Sequence, residues 1–265
     1  MHMAAFGMTD AGRQRSSNED AFCVEPSLGL LAVADGLGGR AAGETASKLA
    51  IFTLTNYLRS HLEPAAQGSF LDLLAKAVQA SNAAIQEVGA KEPQCQGMAT
   101  TLTACLVADG MAYFAHIGDS RAYLLRHGHI ARLTEDHTVA TLRRLGGRNH
   151  VEIIDPAKGN RLLSALGVLP WVGVDLFAQK LRAGDLLLLC TDGLTGGVTE
   201  EELAALGQLK LSLAARCARL LALANERGGA DNVTVVLAAL HASAYGCRKS
   251  HMSTAAPGRP EDGTS

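Results

Sequence analysis

No part of this chain has the spacing of a zinc or disulfide framework. Its six cysteines, at 23, 95, 105, 190, 217 and 247, include no CxxC pair, and the nine histidines form neither an HExxH motif nor a cluster. A zinc site therefore has little support. Cys105 and Cys190 lie inside apolar runs, the usual setting of buried reduced thiols, and this points to a reducing compartment. No long basic run interrupts a net charge of −2, so the electrostatic footprint of a nucleic-acid partner is missing. No apolar run approaches the ~20 residues that a membrane helix requires. The opening MHMAAFGMTDAGRQR also lacks the charged-then-apolar order of a signal peptide. The expectation is a cytoplasmic monomer that binds neither nucleic acid nor membrane. The nucleotide fingerprint G-x-G-x-x-G and the nucleophile elbow G-x-S-x-G are absent too, which leaves Ser120 in GDS without the setting of a nucleophile.

What is present is a large apolar fraction, 48% of 265 residues, enough for a sizeable core. Helical spacing of apolar residues predicts helices over 41–60 and 69–90. A third is expected after Thr134, ending at Gly146-Gly147, and a fourth over 200–227, with Thr199 as N-cap, acids in the first turn and Gly207 as a break. Strand-like runs lie between these helices. Asp109-Gly110 and His127-Gly128 read as hairpin turns, Ala183-Gly184 as the turn of a strand pair over 174–191, and 232–240 as a last strand. Hairpin-linked strands make antiparallel sheets. The architecture expected is α+β: two antiparallel sheets packed face to face and flanked by helix pairs, an α/β/β/α sandwich. It should occupy residues 1–242, with a disordered tail over 243–265, where periodicity is lost.

Three apolar runs end in Asp-Gly: LLAVADGLGG at Asp35, LVADG at Asp109 and LLLLCTDGLTGG at Asp192. After Asp109 a strand resumes at once, so turn formation accounts for it. Asp35 and Asp192 are instead followed by a glycine-containing loop and a helix. A lone Asp at a strand end is most often a cap or an Asx turn. Here further acids collect in similar settings: Glu19 and Asp20 in NED, Asp119 in IGDSR, and Asp231 in GGADN. Such carboxylates would repel one another without a cation. Oxygen donors without Cys or His suit Mg²⁺ or Mn²⁺, and two such ions about 3.5–4 Å apart support in-line displacement at phosphorus. Glycine beside a bridging Asp lets its own carbonyl approach a metal.

Eight pieces in order then resemble the PP2C (PPM) metal-dependent serine/threonine phosphatases, in their compact bacterial form. They are GRQRSSNEDA (12–21), LLAVADGLGGRAAGE (30–44), GMATTLTACLV (97–107), FAHIGDSRAYLLR (114–126), LTEDHT (133–138), NRLLSALG (160–167), LLLLCTDGLT (186–195) and GGADNVTVVL (228–237), spanning about residues 6–240. The resemblance implies a two-sheet sandwich with flanking helix pairs. It also implies hydrolysis of phosphoserine and phosphothreonine in proteins by an activated water at a binuclear Mn or Mg centre, without a covalent enzyme intermediate. It makes Asp35 the carboxylate bridging both ions, with the Gly36 carbonyl on one, and gives Asp192 and Asp231 to the other ion. Glu19 and Asp20 act through bound water, Asp119 with Asp192 holds a third, weaker ion, and Arg15 rather than Arg13 grips the substrate phosphate. A guanidinium can fork onto two phosphate oxygens. Partners implied are phosphoserine and phosphothreonine proteins and a cognate serine/threonine kinase or its targets.

Departures from the pattern are few. Animal members carry a His, assigned as general acid, where Leu37 stands, and Leu37 cannot donate a proton. His137 of EDHT is the nearest substitute but reads better as a surface residue at a helix start. His116 reads as a satisfied sheet residue, and Thr100 and Thr101 as structural. Ala99 replaces a usual Gly. The irregular segment 146–161, with Arg148, Lys158 and Arg161, corresponds to the family's flap beside the active site. Two alternatives stay open: a phosphoprotein-binding pseudophosphatase on the same fold, which should have lost a metal acid or Arg15, and a phosphatase of small phosphoesters.

Overall fold

The computed structural model describes residues 1–38, 40–65, 69–144 and 162–242. The expected end of the third helix, the segment 146–161 and the tail lie outside them. The chain runs β1 (His2–Asp10), β2 (Asp20–Glu25), β3 (Leu30–Leu37), α1 (Arg40–Ala65), α2 (Phe70–Lys91), β4 (Ala99–Thr100), β5 (Leu102–Ala108), β6 (Met111–Ile117), β7 (Arg121–Arg126), β8 (His129–Arg132) and α3 (Val139–Arg144). There follow β9 (Asp175–Lys180), β10 (Leu186–Cys190), α4 (Asp192–Thr195), α5 (Glu200–Gln208), α6 (Leu213–Glu226) and β11 (Val233–His241). One sheet has the order β1-β11-β10-β7-β8. The other has β2-β3-β5-β6-β9, with β4 paired to the end of β3. All pairings are antiparallel.

Period-2 side-chain alternation turns these sheets into a four-layer sandwich. Along β3, Leu30, Ala32 and Ala34 pack with Ala46, Ala50 and Leu54 of α1 and Leu74 and Ile85 of α2, while Leu31 and Val33 face the other sheet. Along β10, Leu187 and Leu189 meet Leu31 and Val33 between the sheets, whereas Leu186, Leu188 and Cys190 meet Leu203, Cys217 and Leu220 of α5 and α6. The run LLLLC is apolar at every position because both of its faces are buried. The expected α/β/β/α sandwich is therefore present. No helix among the described residues is long and apolar enough to cross a membrane.

Asp109 and Gly110, at φ +50° and +76°, make the hairpin turn between β5 and β6, and His127-Gly128 repeats it between β7 and β8. Thr199 caps α5 in a reciprocal capping box with Glu202. Other expectations are corrected. The pair expected over 174–191 is not a pair: β9 bonds to β6 in one sheet and β10 to β7 and β11 in the other, so Ala183-Gly184 carries the chain between sheets. Gly207 does not break the fourth helix. It lies within α5, where a Cβ would run into the Leu125 side chain, and the break comes at 209–212 with Ser212 capping α6. The third helix, expected after Thr134, starts at Val139. β1 was unread because HMAAFGMTD, rich in Ala, Met and Gly, has little β-propensity.

Candidate active site

The strands converge at one end of the sandwich. Asp20 opens β2 and lies directly across from Asp35 near the end of β3. Asp192 follows β10 after one residue, Asp231 precedes β11 by one, and Asp119 stands two residues beyond β6. Arg15, Glu19, Asp35, Gly36, Asp119, Asp192 and Asp231 line a single pocket of about 320 Å³, together with Leu37, Gly38, Leu162 and Asn232. Of the residues predicted for the site, only Asp20 does not line it. It is buried behind the pocket, where its Oδ2 accepts bonds from Thr191 Oγ1 (2.8 Å) and Thr234 Oγ1 (2.6 Å).

Backbone contacts fix these side chains before any ligand arrives. Asp35 N donates to Thr101 Oγ1 (2.9 Å), and its carbonyl accepts from Thr100 Oγ1 (2.8 Å) and Thr101 N (2.9 Å). Thr100 and Thr101 are thus structural, as expected, but the residue they structure is Asp35. Gly36 N donates to Glu19 O (3.2 Å), and a Cβ at Gly36 would collide with the carbonyl of Gly43. Only glycine lets α1 approach the strand end this closely. Asn232 clamps the loop that carries Arg15 and Glu19. Its Nδ2 donates to Ala11 O (2.9 Å) and Ser17 O (2.8 Å), and its Oδ1 accepts from Glu19 N (2.8 Å). Asn232, Thr191 and Thr234 were missed. Their only trace in the sequence is adjacency to Asp231 and Asp192 and the alternation of Thr234 with buried valines.

The pocket is electrostatically unbalanced. Burial, then repulsion from Asp20, Asp192, Asp119 and Asp231, pushes the Asp35 carboxyl well above its ordinary range. Burial pushes Asp20 up to about 7 despite its two threonine donors, and it raises Asp119 to about 7, with Asp192 adding to the effect in each. Asp192 is raised by burial and by Asp231, although a bond to Asp35 offsets part of the effect. Arg15 reaches the cluster by donating to Asp231 Oδ2 at 2.8 Å, on the exposed rim.

These donors fit hard divalent cations. Asp20 Oδ1 and Asp192 Oδ1 are buried without a hydrogen-bond partner, an expensive condition for anionic oxygens unless a cation meets them. Among the described residues no three His, Cys, Asp or Glu side chains already stand together as a ligating cluster. Among the described residues no histidine lines the pocket. His137 Nε2 bonds to Asp175 Oδ2 (3.0 Å), its Nδ1 accepts from Gly118 N (3.3 Å), and it does not line the pocket. His116 is buried between Thr103 Oγ1 (2.9 Å) and Glu135 O (3.0 Å), and burial lowers it to about 4. Ser120 is buried and bonded to Thr101 Oγ1 (2.8 Å).

Residues 9–238 match the model of a family described as Protein phosphatase 2C. The chain is 37% identical over 233 residues to the serine/threonine phosphatase Stp of Listeria welshimeri serovar 6b, covering 86% of this chain and 92% of that protein. Among solved structures it is similar to the Mycobacterium tuberculosis serine/threonine phosphatase PstP/Ppp, with a TM-score of 0.81, 38% identity and coverage of 91% and 100% of the two chains. The catalytic domain of PstP in complex with two manganese ions gives a TM-score of 0.79 at 39% identity, covering 91% and 99%.

Proposed function

The chain belongs to the protein phosphatase 2C family, and on that premise we propose that it hydrolyses phosphoserine and phosphothreonine in proteins with Mn²⁺ or Mg²⁺. The observation that carries this reading is the set of mutually repelling carboxylates around one pocket, two of which have a buried oxygen without a partner. When bound, two ions supply Lewis acidity toward the phosphoryl oxygens and activation of the attacking water. Asp35, held from its backbone by Thr100 and Thr101, would hold both ions, with help from the Gly36 carbonyl. Asp192 and Asp231 would hold the second ion, and Asp119 with Asp192 a third, weaker one. Glu19 and Asp20 would act through water, Asp20 from behind with its Oδ1.

Arg15 orients the phosphate. Its ion pair with Asp231 occupies the rim, so substrate and cation together release the guanidinium to fork onto phosphate oxygens. Leu37 lines the pocket and has no proton to give. The leaving hydroxyl would have to take its proton from water or another side chain, or depart with assistance from bound cations. The phosphatase domain is taken as residues 1–242. The substrates are phosphoproteins, a serine/threonine kinase is the expected counterpart, and the cytoplasm is the expected site of action, since the cysteines at 23, 95, 105, 190 and 217 are free thiols. The retained acids and Arg15 leave a pseudophosphatase without support.

Turnover of a phosphothreonine peptide is expected with Mn²⁺, and abolition by chelator and by Asp192→Asn. Activity that survived both treatments would overturn the metal mechanism. Faster turnover of sugar phosphates than of peptides would move the substrate class to small phosphoesters.

A further inference from the structure

Leu37 and Leu162 line two adjoining spaces: the carboxylate pocket and an apolar cavity of about 190 Å³. Ala99, Leu163, Val168 and Leu169 also line this second cavity, and none of its lining residues is charged. It lies below the ~300 Å³ at which sites for separate small ligands begin, so it suits a single side chain rather than an independent ligand.

The loop that forms its outer wall displays apolar groups to water. Leu163 is 48% exposed, Val168 62%, Leu169 59% and Trp171 78%. A loose loop could expose such residues by failing to pack, but this one is fastened down. The buried Asn82 of α2 accepts from Gly167 N (2.7 Å) and donates to Leu169 O (2.9 Å) and Pro170 O (3.2 Å). Gln79 Nε2 donates to Val172 O (2.9 Å), and Leu166 exchanges backbone bonds with Thr100, which in turn grips Asp35. The backbone is tied to the catalytic strand while the large side chains face outward. A fixed apolar patch that opens beside polar chemistry is the signature of a recognition surface.

We propose that this cavity is the subsite for an aliphatic side chain flanking the phosphorylated residue of the substrate polypeptide. The inference rests on the phosphatase reading and specifies its substrates: a Leu, Ile, Val or Met near the phosphothreonine drops into the cavity while the phosphate meets Arg15 and the carboxylates. Adjacency of the two spaces, which share Leu37 and Leu162 in their walls, carries the assignment. A polypeptide whose phosphate occupies the first must lay its neighbouring residues over the rim, and the uncharged second space discriminates against ionised side chains. Binding energy gained there, remote from phosphorus, raises kcat/KM for proteins over small phosphoesters.

The test uses phosphothreonine peptides carrying Leu or Ser at successive positions on either side of the phosphorylated residue. At one position kcat/KM is expected to be ~10-fold higher for Leu, the scale of burying one aliphatic side chain. Leu169→Ser and Val168→Ser, both on the exposed wall, should remove that preference and leave p-nitrophenyl phosphate turnover unchanged. Trp171 is the only tryptophan in the chain, so stopped-flow emission during the first turnover reads the loop directly. A change is expected with the Leu peptide and little with the Ser peptide. Equal kcat/KM at every position, a preference that persists in both variants, or emission unmoved by the Leu peptide would overturn the subsite; the last is also the outcome expected if another part of this chain covers the cavity. Failure of the phosphatase reading looks different: Mn²⁺-loaded wild type would hydrolyse neither peptide nor p-nitrophenyl phosphate, while the emission would still decide whether the cavity takes a side chain.

Discussion

Asp185 and Asp192 stand at opposite ends of the same strand, β10, and their carboxylates behave in opposite ways. The Asp185 side chain is 1% exposed and is met by a forked Arg126, with Nε to Oδ1 and Nη2 to Oδ2 at 2.7 Å each, and by Arg182 N at 2.7 Å. Burial alone would raise its carboxyl, yet these donors hold it below the usual carboxylate value. Asp192 is half-buried, but Asp231 repels it and its buried Oδ1 has no partner, so its carboxyl is raised. Asp136 repeats the first pattern, taken by Arg121 and Arg132. At Asp185 and Asp136, which lie away from the pocket, the chain thus supplies guanidinium partners. It withholds them where Asp20, Asp35, Asp119 and Asp192 meet. A permanent partner stabilises one state, whereas carboxylates left to meet a cation make stability and chemistry depend on what is bound.

The comparison can be broken from either end of the strand. The largest effect is expected at the acid end: Asp35→Asn should lower kcat/KM on the order of 10³-fold, the scale of losing one preorganised electrostatic contact. Its metal-free unfolding midpoint in urea should match or exceed the wild type, because one repelling charge is gone. A clear drop in that midpoint would mean that Asp35 is chiefly structural.

Next comes the cation itself. Mn²⁺ at 100 times its Kd should stabilise the wild type by about 2.7 kcal/mol, and this gain should shrink as pH falls. Asp20 and Asp119 have metal-free values raised to about 7, so protons displace the cation as pH falls through that value. The sign reverses without metal. Carboxyls raised in the fold stabilise it below their ordinary range, and this contribution is lost as pH rises through about 7. Urea midpoints with chelator should therefore fall between pH 5.5 and 8, relative to Mn²⁺-loaded protein, while the Mn²⁺ increment grows. An increment independent of pH would place the cation elsewhere.

The smallest effect belongs to the paired end. Arg126→Met should cost about 2 kcal/mol of unfolding free energy, because it strands the buried Asp185 with only the Arg182 N–H donor. Mn²⁺ affinity and turnover should not change, and a loss of Mn²⁺ affinity would show that the two ends are coupled.

Much of the site was legible because carboxylates at strand ends leave a local trace. Comparison with Asp109, whose positive φ makes an ordinary hairpin turn, separated Asp35 and Asp192 from turn formers. The fold class was legible from period-2 and helical spacing. The misreadings share a cause: Ala183-Gly184 has hairpin chemistry, and Gly207 has the look of a break. Each was decided by what packs against it, namely β6 against β9 and Leu125 against α5. Asn232, Thr191 and Thr234 were silent for the same reason, since hydrogen bonds spanning 171 to 221 residues, as from Thr191 to Asp20 and from Asn232 to Ala11, have no local signature.

By itself the sequence determined which segments are strands buried on both faces, where α5 begins, and that acids collect at several strand ends, because propensity, alternation and capping act over a few residues. Only the tertiary structure decided that five of those acids share one end of the sandwich, that Asp20 sits behind the others on two threonines, that Arg126 is spent on Asp185 rather than on the pocket, and that an apolar cavity opens beside it. Those outcomes depend on which strands become neighbours across two sheets, and that choice is made by burying three apolar interfaces at once rather than by any single stretch of chain.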